Sequence, residues 1–375
     1  MKLVVVIPYF FPAYVYGGAV FAAYHLSHKT AQNDVDVEVI TTNLNGSTKL
    51  DVTPNILTSL NGFKVKYYNK CLIPFFSFKM IFGLANDIQK ADVVHIQSIY
   101  SLSTPFALFH SYIQKKTTLL SPRGSLTTYS FKHRGMMKKL WIAFLIKPFA
   151  KRIHWHATSQ KEIDDIRHFF PNAKIELIPD GVDFEESKIK HVCSEKWQNS
   201  FYIACLGRIH KIKGYDIILK AMPEIIKSLP KVKLFIAGMD EGELDNLQRL
   251  TLELNIENNV EFQGPLESDD KNCFLKYAQC LVMPSHTENF GIVAAEALNQ
   301  KTPVIASKHT PWGVLETKHA GFHIDNTPQA MTKAVITLLQ DVESYRKNTS
   351  HVVEQFSWDK IAESYKSTLL KISKS

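Results

Sequence analysis

Short apolar runs rich in β-branched residues alternate with amphipathic segments of helical length along almost the whole chain, and nothing else in it restricts the fold as much. Strands are expected at 3–7, 35–41, 92–97, 117–121, 153–157 and 175–179, with helices at 17–30, 77–90, 101–114, 135–150 and 159–169 between them. Repeated βα units make a parallel sheet covered on both faces, because each crossover lays a helix against one face. The helix at 159 opens with a capping box, Ser159-Gln160-Lys161-Glu162.

After a polar stretch from Phe184 to Asn199 the alternation restarts. Strands are expected at 201–206, 232–237, 260–263, 280–283 and 303–307, and helices at 214–228, 243–254, 269–277 and 291–300. Helices at 328–340, 343–354 and 358–372 close the chain with no later strand. The expected fold class is therefore α/β, with two doubly wound, Rossmann-like domains at 1–190 and 191–355 and a terminal helix, 356–375, packing back on the first. Ligands of such sheets bind at the carboxyl ends of the strands, so two facing domains would hold a ligand in a central cleft. A length of 375 residues with 45% hydrophobic content supplies the core for two domains.

Five cysteines, Cys71, Cys193, Cys205, Cys273 and Cys280, contain no C-x-x-C pair and leave an odd count. Neither a disulfide framework nor a zinc site is indicated, and a reducing cytoplasm is expected. Pro8, Pro12 and Gly17-Gly18 interrupt the apolar N-terminus too often for a signal peptide, so a strand, a loop and a helix from about Gly17 account for it better. No apolar run approaches the length of a membrane span. The net charge of +8 is uneven: residues 1–190 hold 23 Lys+Arg against 14 Asp+Glu, so this half should seek an anionic partner. No acidic residue lies between Asp92 and Glu162.

Two loops carry the chemistry. Glu288 and Glu296, in Glu288-Asn-Phe-Gly-Ile-Val-Ala-Ala-Glu296, flank the start of a helix that follows a buried strand. Such a loop offers backbone N–H groups and a positive helix dipole to an anion, and Gly291 allows close approach to the backbone. Surface helices are rich in glutamate, so the pair alone is weak evidence. The loop Gly207-Arg-Ile-His-Lys-Ile-Lys-Gly214 leaves the restart strand bracketed by Arg208 and Lys213, two cations suited to a pyrophosphate and to the charge that grows as it departs. Solvated loop cations are the plainer alternative. Gly17-Gly18, after the first strand, could bring backbone amides to a phosphate or sugar, and it is not a G-x-G-x-x-G fingerprint.

Taken together with Asp92-Val-Val-His95, His156-Ala-Thr-Ser159, Ile178-Pro-Asp-Gly-Val-Asp183 and Pro284-Ser285, these segments resemble the retaining GT-B glycosyltransferases of family 4 (group 1) along nearly the whole chain. The resemblance implies a nucleotide-diphosphate sugar, UDP- or GDP-linked, as donor and no metal or other cofactor. Glu296 would accept from the ribose hydroxyls and Glu288 would touch the donor sugar. Arg208 and Lys213 would hold the diphosphate, helped by amides of Asn289, Phe290, Gly291 and Ile292 and by Gly17 and Gly18, while the base would lie near Gly264 and Leu266. Retention without a protein nucleophile makes Arg208, Lys213 and Glu288 the catalytic set.

Many relatives carry a histidine after the strand at 117–120, where this chain has Ser121-Pro-Arg-Gly124, like a subgroup with S-P-R-G. Ser121 or Arg123 could line the acceptor side, with His95 a lesser candidate and, like His156, more expected as a core residue. Thr310-Pro-Trp312, shared with that subgroup, could form a cleft wall or a packed turn. Asp34-Val-Asp36 resembles the metal-binding D-x-D of the other large glycosyltransferase fold but precedes its strand, so it reads as a polar strand entry.

The segment 131–152 mixes Lys132, Arg134, Lys138, Lys139, Lys147, Lys151 and Arg152 with Met136, Met137, Leu140, Trp141, Phe144 and Phe149. Core packing on one side and contact with an anionic membrane at the rim are both expected. A polyprenyl-diphosphate-linked glycan acceptor follows, as in bacterial O-antigen, capsule or exopolysaccharide assembly, with the protein peripheral on the inner face of the cytoplasmic membrane. No nucleic-acid recognition module is present. A nucleotide-sugar 2-epimerase-like enzyme and an inert donor-binding partner subunit are the alternatives.

Overall fold

The computed structural model describes residues 1–70, 77–131, 135–184, 189–266 and 268–374. The chain forms two compact units, Met1–Asp180 with Trp358–Ser375, and Gly181–Ser357. The first crossing falls about ten residues before the expected 190, because the Ile178-Pro-Asp180 segment still belongs to the first sheet's polar network.

The first unit is an eight-stranded sheet in the spatial order Lys174–Leu177, Ile153–Ala157, Thr117–Ser121, Val93–Gln97, Lys2–Val6, Asp36–Thr42, Phe63–Tyr68, Leu57–Leu60. All neighbours are parallel except the last pair. Lys2–Val6 lies at the centre with Val4 opposite both Glu38 and Val94, and its residues 3–6 are buried on both faces, as a covered parallel sheet requires. The expected strands occur within a residue or two. The hairpin Leu57–Leu60/Phe63–Tyr68 was not expected; it turns through Asn61-Gly62, both at positive φ, as a two-residue hairpin turn demands.

The terminal helix Trp358–Ile372 lies on helix Gly18–Gln32. Trp358, Ile361, Tyr365, Leu369 and Ile372, spaced three or four apart, are buried in the core beneath it, and Trp358 stacks on His25 at 5.7 Å. The basic segment is not one helix: Gly135–Trp141 is α-helical, Ile142–Ile146 a π-helical turn and Lys147–Arg152 a 3-10 helix. Pro148 supplies the reason, since it lacks an N–H and its ring collides with the carbonyl four residues before. Ile142 and Ile146 are buried, while Met136, Met137, Leu140 and Phe144 are exposed. Lys132 and Arg134 lie outside the described residues.

The second unit is a six-stranded parallel sheet ordered Val260–Gly264, Lys233–Ala237, Tyr202–Leu206, Cys280–Met283, Val304–Ser307, Gly321–Ile324. The last strand was not expected. In chain order this is 3-2-1-4-5-6, the doubly wound dinucleotide-fold arrangement. Cys193 and Cys273 form a disulfide with their Cα atoms 5.5 Å apart, which corrects the expectation of none. Eighty positions separate them, so no short motif announced the pair. The cysteine argument for a reducing compartment is lost with it. No described helix is long and apolar enough to cross a membrane.

Candidate active site

In the second sheet the direction of winding reverses between Tyr202–Leu206 and Cys280–Met283, which are adjacent and parallel with Ile203 opposite Cys280. Loops leaving the carboxyl ends of such a pair diverge to opposite faces and leave a crevice between them. They are the Gly207–Gly214 and Pro284–Gly291 segments, the two that the sequence singled out.

Each loop is held by its own turns and by the other. His210 Nδ1 accepts from the Ile212 amide at 3.1 Å and starts the 3-10 turn Lys211–Lys213. The chain then passes through Gly214 at φ +64, where a Cβ would lie 2.2 Å from the Pro284 carbonyl oxygen. Only glycine satisfies both the left-handed backbone and that contact. The His286 amide donates to Ile212 O at 2.8 Å, and Ser307 Oγ donates to Ser285 O at 2.6 Å. Gly291, at φ +78, is the cap before helix Ile292–Asn299, and a Cβ there would meet Met283 Sδ at 3.1 Å. Trp312 is buried and donates its Nε1–H to Phe290 O at 2.6 Å, so Thr310-Pro-Trp312 is a packed turn that fixes the glutamate loop.

This frame brings the expected charges together. Lys213 Nζ donates to Glu288 Oε1, which also accepts from Ser285 Oγ at 3.0 Å; both charged side chains are about 15% exposed. Arg208 lies on the same loop, but one guanidinium nitrogen donates to both carboxylate oxygens of Glu241, at 2.8 and 3.1 Å, and it is half exposed. Glu296, one turn into the helix, accepts from Lys271 Nζ at 2.6 Å. Asn289 and Phe290 sit between the glutamate and the helix, and Ile292 opens that helix, whose first amides have no intrahelical acceptor. Gly264 ends its strand and accepts from the Gly238 amide at 2.7 Å, while Leu266 is half-buried against the core. Tyr215 donates to Gly207 O at 3.3 Å, and burial pushes its hydroxyl far up in pKa, with Glu288 adding to the effect.

Glu241 and Lys271 were not expected. Glu241 had a legible signal, since it follows strand Lys233–Ala237, a third carboxyl end beside the other two. Its loop is set by Asp240 Oδ1, which accepts from the amides of Gly242, Glu243 and Leu244, and those bonds hold the carboxyl below its ordinary pKa. Lys271 had none, because its contact with Glu296 is made between two helices.

In the first unit Gly17 caps helix Gly18–Gln32 at the carboxyl end of the central strand, beside that sheet's own winding reversal. Ser121 and His95 do not line a surface. They are fully buried in a hydrogen-bonded chain whose direction follows from its last acceptor. The Ile178 carbonyl can only accept, so His156 donates from Nε2 at 2.8 Å; its Nδ1 then accepts from Ser121 Oγ at 2.7 Å. Ser121 in turn accepts from His95 Nε2 at 2.6 Å, and His95 Nδ1 accepts from Tyr365 Oη at 2.6 Å. Burial, then the Arg123 charge, pulls His156 down to about 4, and burial with His156 beside it holds His95 well below its usual value, so both rings are neutral. Arg123, at φ +54, donates to Asp180 at 2.5 Å and to Gln97 at 3.3 Å and is only 11% exposed. The S-P-R-G segment thus ties the Ile178-Pro-Asp180 segment to the sheet.

Comparison with known proteins places these units. The family model Glycosyltransferase Family 4 matches residues 16–186, and Glycosyl transferases group 1 matches residues 187–353. The D-inositol 3-phosphate glycosyltransferase of Corynebacterium glutamicum is 27% identical over 222 residues, 53% of this chain and 53% of that protein. The GDP-mannose-dependent alpha-(1-6)-phosphatidylinositol monomannoside mannosyltransferase of Mycolicibacterium smegmatis is 29% identical over 189 residues, 46% of this chain and 49% of that one. The aligned stretches thus span about half the length of these curated relatives. The structure of Anabaena Alr3699/HepE in complex with UDP superposes with a TM-score of 0.78 at 16% identity, over 99% of this chain and 100% of that one. The fold is GT-B, and the chain is a glycosyltransferase family 4 domain followed by a glycosyl transferases group 1 domain.

Proposed function

We propose that this protein transfers a sugar from a nucleotide-diphosphate sugar to an acceptor hydroxyl with retention at the anomeric carbon. The observation that supports this best is the meeting of Lys213 and Glu288, from two loops, at the winding reversal of the second sheet, with Arg208 on the same loop as the lysine. In this reading Lys213 leaves Glu288 for the diphosphate, and Arg208 leaves Glu241. Glu288 is thereby released to accept from the donor sugar's hydroxyls, and Glu296, steadied by Lys271, accepts from the ribose. The acceptor hydroxyl attacks the anomeric carbon on the face from which the diphosphate departs. The bond from that carbon to the phosphate oxygen breaks, and a phosphate oxygen takes the hydroxyl proton. Two side-chain cations neutralise the leaving group, so no metal is required. UDP in the HepE complex and GDP-mannose in the mycobacterial relative's name make both nucleotides the first to test.

The acceptor side is proposed to be lipid-linked and peripheral to an anionic membrane. Met136, Met137, Leu140 and Phe144 are exposed beside Lys139 and Lys147, the composition of an interfacial segment. Bacterial O-antigen, capsule or exopolysaccharide assembly is the setting this fits. The deciding experiment is a thermal-shift and calorimetric screen of UDP, GDP and ADP and their sugars against the wild type, Lys213→Ala and Glu296→Ala. Stabilisation of the wild type by one nucleotide family, lost in both variants, is expected. Absence of any nucleotide effect on the wild type would overturn the reading.

A further inference from the structure

Five cations, Lys115, Lys116, Lys151, Arg152 and Lys174, converge on a cavity of about 540 Å3 whose lining includes no acidic residue. It lies at the amino ends of three neighbouring strands, Thr117–Ser121, Ile153–Ala157 and Lys174–Leu177, where Thr117, Ile153 and Lys174 are the first residues. In a parallel sheet that edge is the opposite one from the Gly17 loop, and nothing in the transfer reaction uses it. Among the described residues none of the five forms an ion pair, although ion pairs occupy lysines elsewhere in the same unit. Glu176, two residues beyond Lys174 on the same strand, is taken by Lys371 at 3.0 Å.

The cavity is shaped as well as charged. The Arg152 guanidinium lies 4.5 Å over the Tyr112 ring, and Tyr112 packs edge-on against Phe149 at 5.8 Å, so one cation is held in place by an aromatic wall. Lys116 is half-buried and approaches from the turn that ends helix Ser103–Ile113. Like charges gathered around one cavity repel, and an anion seated among them removes that repulsion. The volume exceeds that of a single phosphate, and five cationic donors exceed what one phosphate can use.

We propose that this cavity is a binding site for two or more phosphate groups at once, carried on one soluble anion or on adjacent anionic lipid headgroups, separate from the nucleotide-sugar site. Burial and then Lys174 hold His154, on the cavity wall, below its usual pKa, so the cations there are lysine and arginine at neutral pH.

The test uses the whole 375-residue chain saturated with UDP or GDP, whichever binds, so that the nucleotide-sugar site is not scored. Inorganic tripolyphosphate is titrated calorimetrically, and in a second arm phosphatidylcholine vesicles with and without phosphatidylglycerol are co-sedimented, both at low salt. Lys116→Gln/Arg152→Gln should weaken the response about tenfold or more, whereas Lys227→Gln/Lys308→Gln, with the same charge change at exposed sites of the other unit, should alter it less than twofold. Lys116→Arg/Arg152→Lys should retain most of the binding, which separates lost charge from lost folding. A response to tripolyphosphate alone assigns a soluble phosphoanion, and a response to the anionic vesicles alone, with the same variant pattern, assigns a lipid headgroup. No response to either probe, or equal losses in the two glutamine pairs, overturns the proposal. A lack of binding by both UDP and GDP in the control titrations would count against the transfer reaction and leave this test readable through the variant pattern.

Discussion

Replacing Gly214 with alanine should separate the geometry of the donor loops from their charge. At φ +64 an L-residue costs about 1–2 kcal/mol relative to glycine. The added Cβ would lie 2.2 Å from the Pro284 carbonyl oxygen, more than 1 Å inside ordinary contact, and the neighbouring atom is backbone that cannot swing away. Forcing the two loops apart adds an overpacking penalty of about 1–3 kcal/mol, for roughly 2–5 in all. Gly264→Ala is the internal control: its φ is +71, yet a Cβ there meets nothing within 4 Å, so only the conformational part, about 1–2 kcal/mol, applies. At roughly 2–4 °C per kcal/mol for a domain of this size, Gly214→Ala should melt roughly 4–20 °C lower and Gly264→Ala roughly 2–8 °C lower. Calorimetric scans of the two variants and the wild type measure both. Equal melting shifts would refute the backbone stitching of Gly214 to Pro284, and with it the account of how Lys213 reaches Glu288.

Arg208→Ala or Lys213→Ala should lower turnover by about 10²- to 10³-fold once a donor and acceptor are in hand, by analogy with a lost transition-state donor, and steady-state kinetics would show full activity if the diphosphate role is wrong. His156, folded at about 4 against an unfolded value near 6.5, and His95, also depressed, bind fewer protons folded than unfolded. Their contribution is therefore complete above about pH 6.5 and is lost as pH falls, for His156 at up to about 1.4 kcal/mol per pH unit between roughly 6.5 and 4, with His95 acting in the same direction. Urea denaturation at pH 7, 6 and 5 should show that slope, and His156→Gln should flatten it; equal slopes in both proteins would remove the assignment. Cys193→Ser should cost the second unit about 4.5 kcal/mol in the chain-entropy model, since the bridge closes a loop of 80 residues, and a non-reduced digest should yield the crosslinked peptide.

Much of this architecture is written in local patterns. The central strands of both sheets are continuous apolar runs, and their helices open with caps such as Ser159, whose Oγ accepts from the Glu162 amide as the capping box foretells. The hairpin carried a local signal too: Asn61-Gly62 marks its turn, and Phe63–Tyr68 alternates lysine with apolar residues as a half-buried strand does. The two loops at the winding reversal are legible because strand ends and glycines can be read locally. Partners could not be, since Glu241 for Arg208, Lys271 for Glu296 and Cys273 for Cys193 depend on distances set by the whole sheet. Ser121 is expected on the acceptor side from its place after the strand where relatives carry a histidine, whereas strand pairing beside His156 and the returning Tyr365 bury it; His95, more expected in the core, is buried there.

The carboxylates Glu288 and Glu241 act as resident counter-ions to the two cations, and that changes what an arriving anion must accomplish. Binding here is an exchange, in which an intramolecular carboxylate that cannot diffuse away is displaced from each cation. A singly bridging anion gains little, because it trades one carboxylate for another of similar charge. A diphosphate long enough to engage both cations at once displaces two tethered partners in a single event, and its second contact is made at high effective concentration. Under the proposed function the crevice would in this way be biased toward linked phosphates over inorganic phosphate, and its affinity should respond less to bulk salt than that of a site whose cations are balanced by mobile ions.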